Sequence, residues 1–409
     1  MGLRLKKKTK KRHGAVAPAF TPEAKLKRSV RSHFTRLGFS KAKDGSLELP
    51  AADKDTVRKL HARQRQERLA GATELLTSTL NEALPFFADG AEIDPGKIQL
   101  SLYRVDANTF ESDLFRIASL TWSVPVSNGY GRRLRYLVWD DHHDRLVGIA
   151  ALGDPVFNLS VRDQLIGWNA ADRSKRLVNL LDAYVLGAVP PYNMLLGGKA
   201  VACLIRSKEV YADFRKSYGS TTGIISKEAK SARLLVVTTT SSMGRSSIYN
   251  RLRLDGTDYF SPIGYTVGWG HFHITDAIFA EMREYLRLAK HPYADKHKYG
   301  EGPNWRLRTI RAALAELNIN ESVLRHGIQR EVFLCAYANN AMKILKTGKG
   351  RPDISNLKST DEISDLVKAR WLAPRGARRP EFAEWRRENI RNLIFNEPIT
   401  STARLRRMK

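Results

Sequence analysis

The chain has 409 residues, with 69 Lys and Arg against 42 Asp and Glu, a formal net charge of +27. A hydrophobic share of 42% supports a buried core and excludes a wholly disordered chain, and no run of about 18 apolar residues exists to span a membrane. Cys203 and Cys335 alone cannot build a disulfide framework or a cysteine-based zinc site, whereas the cationic excess calls for a polyanion, because each phosphate it neutralises releases a condensed counterion; DNA is the expected partner.

Residues 1–22 read as a basic disordered arm. Lys6, Lys7, Lys8, Lys10, Lys11 and Arg12 have no acid among them and are candidate phosphate contacts. No apolar stretch follows of the kind a secretory signal needs, so the expected address is the cytoplasm. Residues 23–95 are helical, with Val57, Leu60 and Leu69 spaced amid charge, then Leu75, Leu76, Leu80 and Leu84 up to Pro85. At Ile98, Leu100 and Leu102 the period shifts toward two, which opens a sheet-bearing domain over 96–290.

Within that domain, residues 135–140 (RYLVWD) and 146–152 (LVGIAAL) predict a hairpin closed by Asp141-His142-His143-Asp144. A helix is expected over 161–181, a strand over 182–189 (DAYVLGAV), and a helix over 200–218 entered through Gly197-Gly198-Lys199. The continuously apolar 233–239 (RLLVVTT) predicts a central strand. A short helix over 246–252 and late strands over 265–269 and 272–274 complete the domain. Residues 291–409 read as a helical, basic C-terminal region, with helices expected over 306–317, 323–345 and 361–371 and a loop at 348–352. It ends in the cations Arg404, Arg406 and Arg407, further candidates for phosphate contact.

Strands alternating with helices argue for a mixed α/β sheet. The order of hairpin, helix, strand, glycine-bearing helix, strand and final strand resembles the GCN5-related N-acetyltransferase fold. That resemblance implies a cofactor pyrophosphate held at a helix N-terminus, and it makes Gly197, Gly198 and Lys199 the candidate cofactor-binding residues. The acetyltransferase pattern wants Arg or Gln where Leu195 stands, while Gly198 and Ala200 fit it. The residues alone do not specify a cofactor, and a tight turn explains the glycines equally well.

Other constellations are read more plainly. The 140–144 segment is a solvated polar turn. His271 and His273 share a strand face without a completing carboxylate, so no metal site is expected. Ser241, Ser242, Ser246 and Ser247 with Arg245 suit either a phosphate or a helix cap, and Arg245 joins the candidate nucleic-acid contacts. Arg325, His326 and Arg330 read as a solvated helical face. Asp154 and Asp163 suit capping near a helix start. Neither a phosphate-binding Walker loop nor a Gly-x-Ser-x-Gly elbow occurs.

Four phrases in one order, at 153–168 (GDPVFNLSVRDQLIGW), 181–204 (LDAYVLGAVPPYNMLLGGKAVACL), 238–252 (TTTSSMGRSSIYNRL) and 324–334 (LRHGIQREVFL), resemble the Druantia protein A family. That resemblance implies bacterial antiviral defence beside a helicase-like partner. The leading expectation is a nucleic-acid-binding accessory protein. An acyl-CoA-dependent N-acetyltransferase and a transposon-associated DNA-processing factor are the alternatives.

Overall fold

The computed structural model describes residues 21–43, 47–48, 53–127, 129–222, 229–250, 252–295 and 305–397. The terminal candidates Lys6, Lys7, Lys8, Lys10, Lys11, Arg12, Arg404, Arg406 and Arg407 lie outside them. The chain divides into two compact units, residues 1–40 with 277–321, and residues 41–276 with 322–409. In the smaller unit the helix Trp305–Glu316 sets Trp305 edge-on against Phe279, 5.3 Å between ring centroids, with Arg283 lying 5.0 Å from the Trp305 ring.

The larger unit is built on one mixed sheet of eight strands: β1 (Leu100–Arg104), β2 (Arg133–Asp140), β3 (Arg145–Gly153), β4 (Leu180–Ala188), β5 (Val236–Thr240), β6 (Leu252–Leu254), β7 (Thr257–Tyr265) and β8 (Glu331–Ala336). Their order across the sheet is β6-β7-β8-β5-β4-β3-β2-β1. Every neighbouring pair is antiparallel except β4 and β5. Both faces are covered, so the inner strands are apolar without alternation: β3 is buried at eight of its nine positions. Leu134, Tyr136, Leu181, Val237 and Phe333 pack under one layer with residues of helices Gly197–Leu204, Lys208–Tyr218 and Thr360–Val367. On the opposite face Leu137, Ile149 and Val185 pack with helices Thr73–Ala83 and Phe110–Leu120, while Leu180, Val236 and Leu334 pack with Ser160–Ile166 and Ala341–Thr347.

The parallel pair is short. Leu180, Leu181 and Asp182 oppose Val236, Val237 and Thr238, and the pairing ends there although β4 runs on to Ala188. Two residues further, Tyr184 is the extra residue of a bulge, since Ala151 opposes Val185 while Leu152 opposes Ala183.

Several expectations are corrected. The helix expected over 161–181 is two, Ser160–Ile166 and Ala170–Arg176, because Gly167 takes a left-handed conformation that ends the first. The helix over 200–218 is also two, the second restarted by Ser207, whose side chain caps Val210. Residues 247–250 form turns, and 271–274 turns instead of a strand. The largest departure is at 323–345, expected helical, where β8 occupies the slot between β5 and β7. Arg325, His326 and Arg330 are therefore on an extended segment, with Arg325 exposed and His326 buried.

Candidate nucleic-acid interface

The helix Ala341–Thr347 ends at Gly348, whose φ of +74° is the left-handed cap that glycine adopts without strain. The loop that follows would be free on its own. Two arginines from elsewhere fix it. Arg176 donates to the carbonyls of Leu345 (3.2 Å) and Lys346 (2.5 Å), and Arg233 donates to that of Gly350 (2.5 Å). Trp168 donates its indole N–H to Leu345 O at 2.7 Å, and Asn340 ties down the carbonyl of Arg351 at 2.9 Å.

The anchored loop and the helices Ala170–Arg176 and Ala341–Thr347 beside it carry charge outward. Lys175, Lys343, Lys346, Lys349 and Arg351 are all exposed, and among the described residues none makes an ion pair. The nearby carboxylates are engaged elsewhere. Asp172 pairs with Arg176 (3.0 Å), Asp163 with Arg162 and Arg173 (2.7 and 2.8 Å), and Asp353 accepts from Asn339 and Ser355. The result is a set of five cations without an ion-pair partner among the described residues, near the Arg233 charge, with Asp353 an ionised carboxylate close by that neutral donors hold. Unpaired cations on an ordered surface are the arrangement that takes phosphates with little ordering cost.

The structure distributes the sequence candidates unevenly. Gly197 is required by a close approach, since a Cβ there would lie 2.6 Å from the Tyr192 carbonyl. The amides of Gly197 and Lys199 already donate to the carbonyls of Tyr192 and Leu196 (2.8 and 2.9 Å). Lys199 lies 5.3 Å from the Trp371 ring centroid, and burial holds its pKa below the usual lysine range. Arg245 is exposed. Of its serine neighbours, Ser246 accepts from the amides of Ile248 and Tyr249 and closes the turn that stands where a helix was expected. Asp154 and Asp163 are ion-paired partners of arginines, Asp154 with Arg132 at 2.7 Å, and neither is the capping residue. Asp140 is no solvated turn residue: it is fully buried and accepts from His143 and Tyr192. Asp182, where β4 and β5 part, accepts from the Thr238 hydroxyl at 2.8 Å, and burial pushes its pKa up to about 6. Among the described residues no group of three His, Cys, Asp or Glu is placed to hold a metal ion, and no helix is long and apolar enough to cross a membrane.

Sequence reasoning passed over the best-formed cationic cluster. Its signal was present, as Lys343, Lys346, Lys349 and Arg351 interleaved with Gly348 and Gly350, but the stretch reads only as the end of a helix and a loop until Arg176 and Arg233 are seen to hold it.

Buried histidines give a pH prediction. His61 and His326 flank the Phe272 ring at 4.7 and 4.8 Å, and burial, with the Arg330 charge, lowers both pKa values from 6.5 to about 4. Both are neutral in the folded protein at pH 5, while the unfolded chain would protonate them. Their contribution is complete above pH 6.5 and declines as pH falls toward 4, by about 3 kcal/mol each. Asp182 opposes this over pH 6 to 4, since its raised pKa makes the folded state take up a proton first. Two imidazoles outweigh one carboxyl, so the thermal midpoint should drop between pH 7 and pH 4.5. A midpoint that holds or rises over that range would contradict the assignment.

Comparison with known proteins gives the family. The model of the family described as Druantia protein DruA matches residues 51–347. A curated protein named Druantia protein DruA, from Escherichia coli (strain UMEA 4076-1), is 55% identical over 377 residues, covering 92% of this chain and 93% of its own. No solved structure matches the chain. With most of its length matched by the family model and more than half of the aligned residues identical to the curated relative, the chain belongs to the Druantia DruA family.

Proposed function

We propose that this protein is the nucleic-acid-binding component of a Druantia-type antiviral defence system, acting in the cytoplasm on DNA alongside a helicase-like partner. The relative's name supports the defence role. The carrying observation for nucleic acid is the set of five exposed, unpaired cations: Lys175 on the helix Ala170–Arg176, Lys343 and Lys346 on the helix Ala341–Thr347, and Lys349 and Arg351 on the loop after it, which Arg176 and Arg233 pin. Cations so held bind the phosphate backbone without reading sequence.

The fold reading is acetyltransferase-like. The order β1-β2-β3-β4-β5-β8-β7, a lone parallel pair at its centre, and a bulge at the point where that pair parts all support it. A pyrophosphate-binding role for Gly197, Gly198 and Lys199 has weaker support, because two of the three amides are spent inside their own turn. Phosphate-backbone binding is therefore preferred to acyl transfer.

The test is a salt titration with the full chain and a duplex of random sequence. Contacts to four or five phosphates at about −0.9 per phosphate predict a slope of log affinity on log salt of about −4 or steeper. Binding that is absent at low salt, or that ignores salt, would refute the reading.

A further inference from the structure

Beyond the end of β7 the chain continues extended beside residues 324–330. Thr266 N donates to Arg330 O (2.9 Å), the amides of His326 and Gly327 donate to Gly268 O, Gly270 N donates to Leu324 O, and Trp269 pairs with Arg325. Along this ribbon every second residue is a large side chain left in solvent: Tyr265 is 45% exposed, Val267 74% and Trp269 42%. Single exposed apolar residues are ordinary, whereas three at alternate positions, two of them aromatic, make this ribbon a candidate contact surface.

The charge around the patch identifies the partner. No acid occurs in residues 241–250, 259–275 or 322–330, the segments that form the ribbon and the loop beside it. Among the acids beside it, Glu331 is buried and accepts from Ser246 N and Asn250 Nδ2, whereas Glu48 is exposed and follows Leu47, whose amide donates to Arg325 O at 3.2 Å. Arg325 and Arg245 are exposed and make no ion pair among the described residues. Arg245 belongs to the ribbon's neighbourhood, since Glu331 N donates to the carbonyl of the preceding Gly244 at 3.2 Å. Behind the ribbon, Arg330 lies 5.3 Å from the Phe272 ring centroid, no carboxylate pairs with it among the described residues, and its Nε has no partner. The exposed arginines favour an anionic partner over an apolar protein face. Exposed aromatic rings beside unpaired arginines suit unstacked bases and their phosphates.

We infer that residues 265–269, with Arg245 and Arg325, form a base-stacking platform for single-stranded nucleic acid. This rests on the nucleic-acid reading above and narrows it: the 343–351 loop holds phosphates of any strand, and the ribbon selects strands whose bases are free. A paired duplex buries its base faces and gains nothing from Tyr265 and Trp269.

The experiment compares a fluorescent oligothymidylate with a duplex of equal length, using the full chain. Tyr265→Ala with Trp269→Ala is expected to weaken oligothymidylate binding about 100-fold and to change duplex binding less than threefold. Tyr265→Phe with Trp269→Phe keeps two aromatic faces and should restore oligothymidylate binding to within about fivefold of the unmodified protein, which separates stacking from damage to the fold. Equal losses for both ligands, no loss for either, or failure of the Phe variant to restore binding would each overturn the platform. In those cases a Lys346→Gln, Lys349→Gln variant that still weakens both ligands would leave the broader reading standing. If the unmodified protein binds neither ligand, both readings fall.

Discussion

Replacing Lys343, Lys346, Lys349 and Arg351 together by glutamine is expected to reduce affinity for DNA about 10³-fold near 0.1 M salt. Each phosphate contact contributes about 0.9 to the slope of log affinity on log salt, so four contacts contribute about 3.6. Measured from 1 M salt, where such contacts count for little, a tenfold dilution turns that slope into a factor of several thousand. The effect should appear as a flatter salt dependence as well as a weaker constant. The fold should not notice. These side chains are exposed and make no ion pair among the described residues, so the stability change should stay within about 0.5 kcal/mol. The anchoring arginines behave differently. Arg176→Gln or Arg233→Gln would release the loop backbone while leaving the four outward charges in place, and should give a smaller loss that salt dependence alone does not explain. An unchanged salt slope in the fourfold variant would show that the loop does not touch the phosphates.

The largest stability effect is expected at Asp140. This carboxylate is fully buried at the end of β2. One oxygen accepts from His143 Nδ1 (2.6 Å) and the Tyr192 hydroxyl (2.8 Å), and the other accepts from the amides of Gln99 and His142 (3.1 and 3.3 Å). His143 Nε2 in turn accepts from Asp94 N at 3.0 Å, which places the imidazole proton on Nδ1, facing Asp140. The network joins the β2–β3 hairpin to the turn that leads into the helix Gly197–Leu204 through Tyr192. Asp140→Ala would leave a buried hydroxyl, an imidazole N–H and two amides without that acceptor. A loss of about 3–5 kcal/mol is expected, a large part of the 5–15 kcal/mol by which a domain is usually stable. Tyr192→Phe, which removes one donor and keeps the ring, should cost about 1 kcal/mol. Urea midpoints of the two variants check both figures, and an Asp140→Ala loss under 1 kcal/mol would show that the pair is not held as described.

Local chemistry made part of this protein readable. The excess of cations needs no structure to be seen, and neither does the strand character of the segments that became β2, β3, β4 and β5, because branched and aromatic residues bounded by turn residues carry their own signal. Gly197 could be placed at a tight turn, since only glycine permits such an approach. The order of the phrases was enough to reach the family that the comparisons show.

Tertiary structure decided what depends on residues far apart. β8 is buried on both faces, and an apolar run without alternation looks the same in a buried strand as in a buried helix, so only its hydrogen bonds to β5 and β7 fix it. The depth of Asp140 depends on Tyr192, 52 positions away, and the order of the 343–351 loop on Arg176 and Arg233, more than 110 positions upstream. Composition and period report what a segment prefers. Burial, pairing and the absence of a counter-charge belong to the neighbours that folding brings alongside.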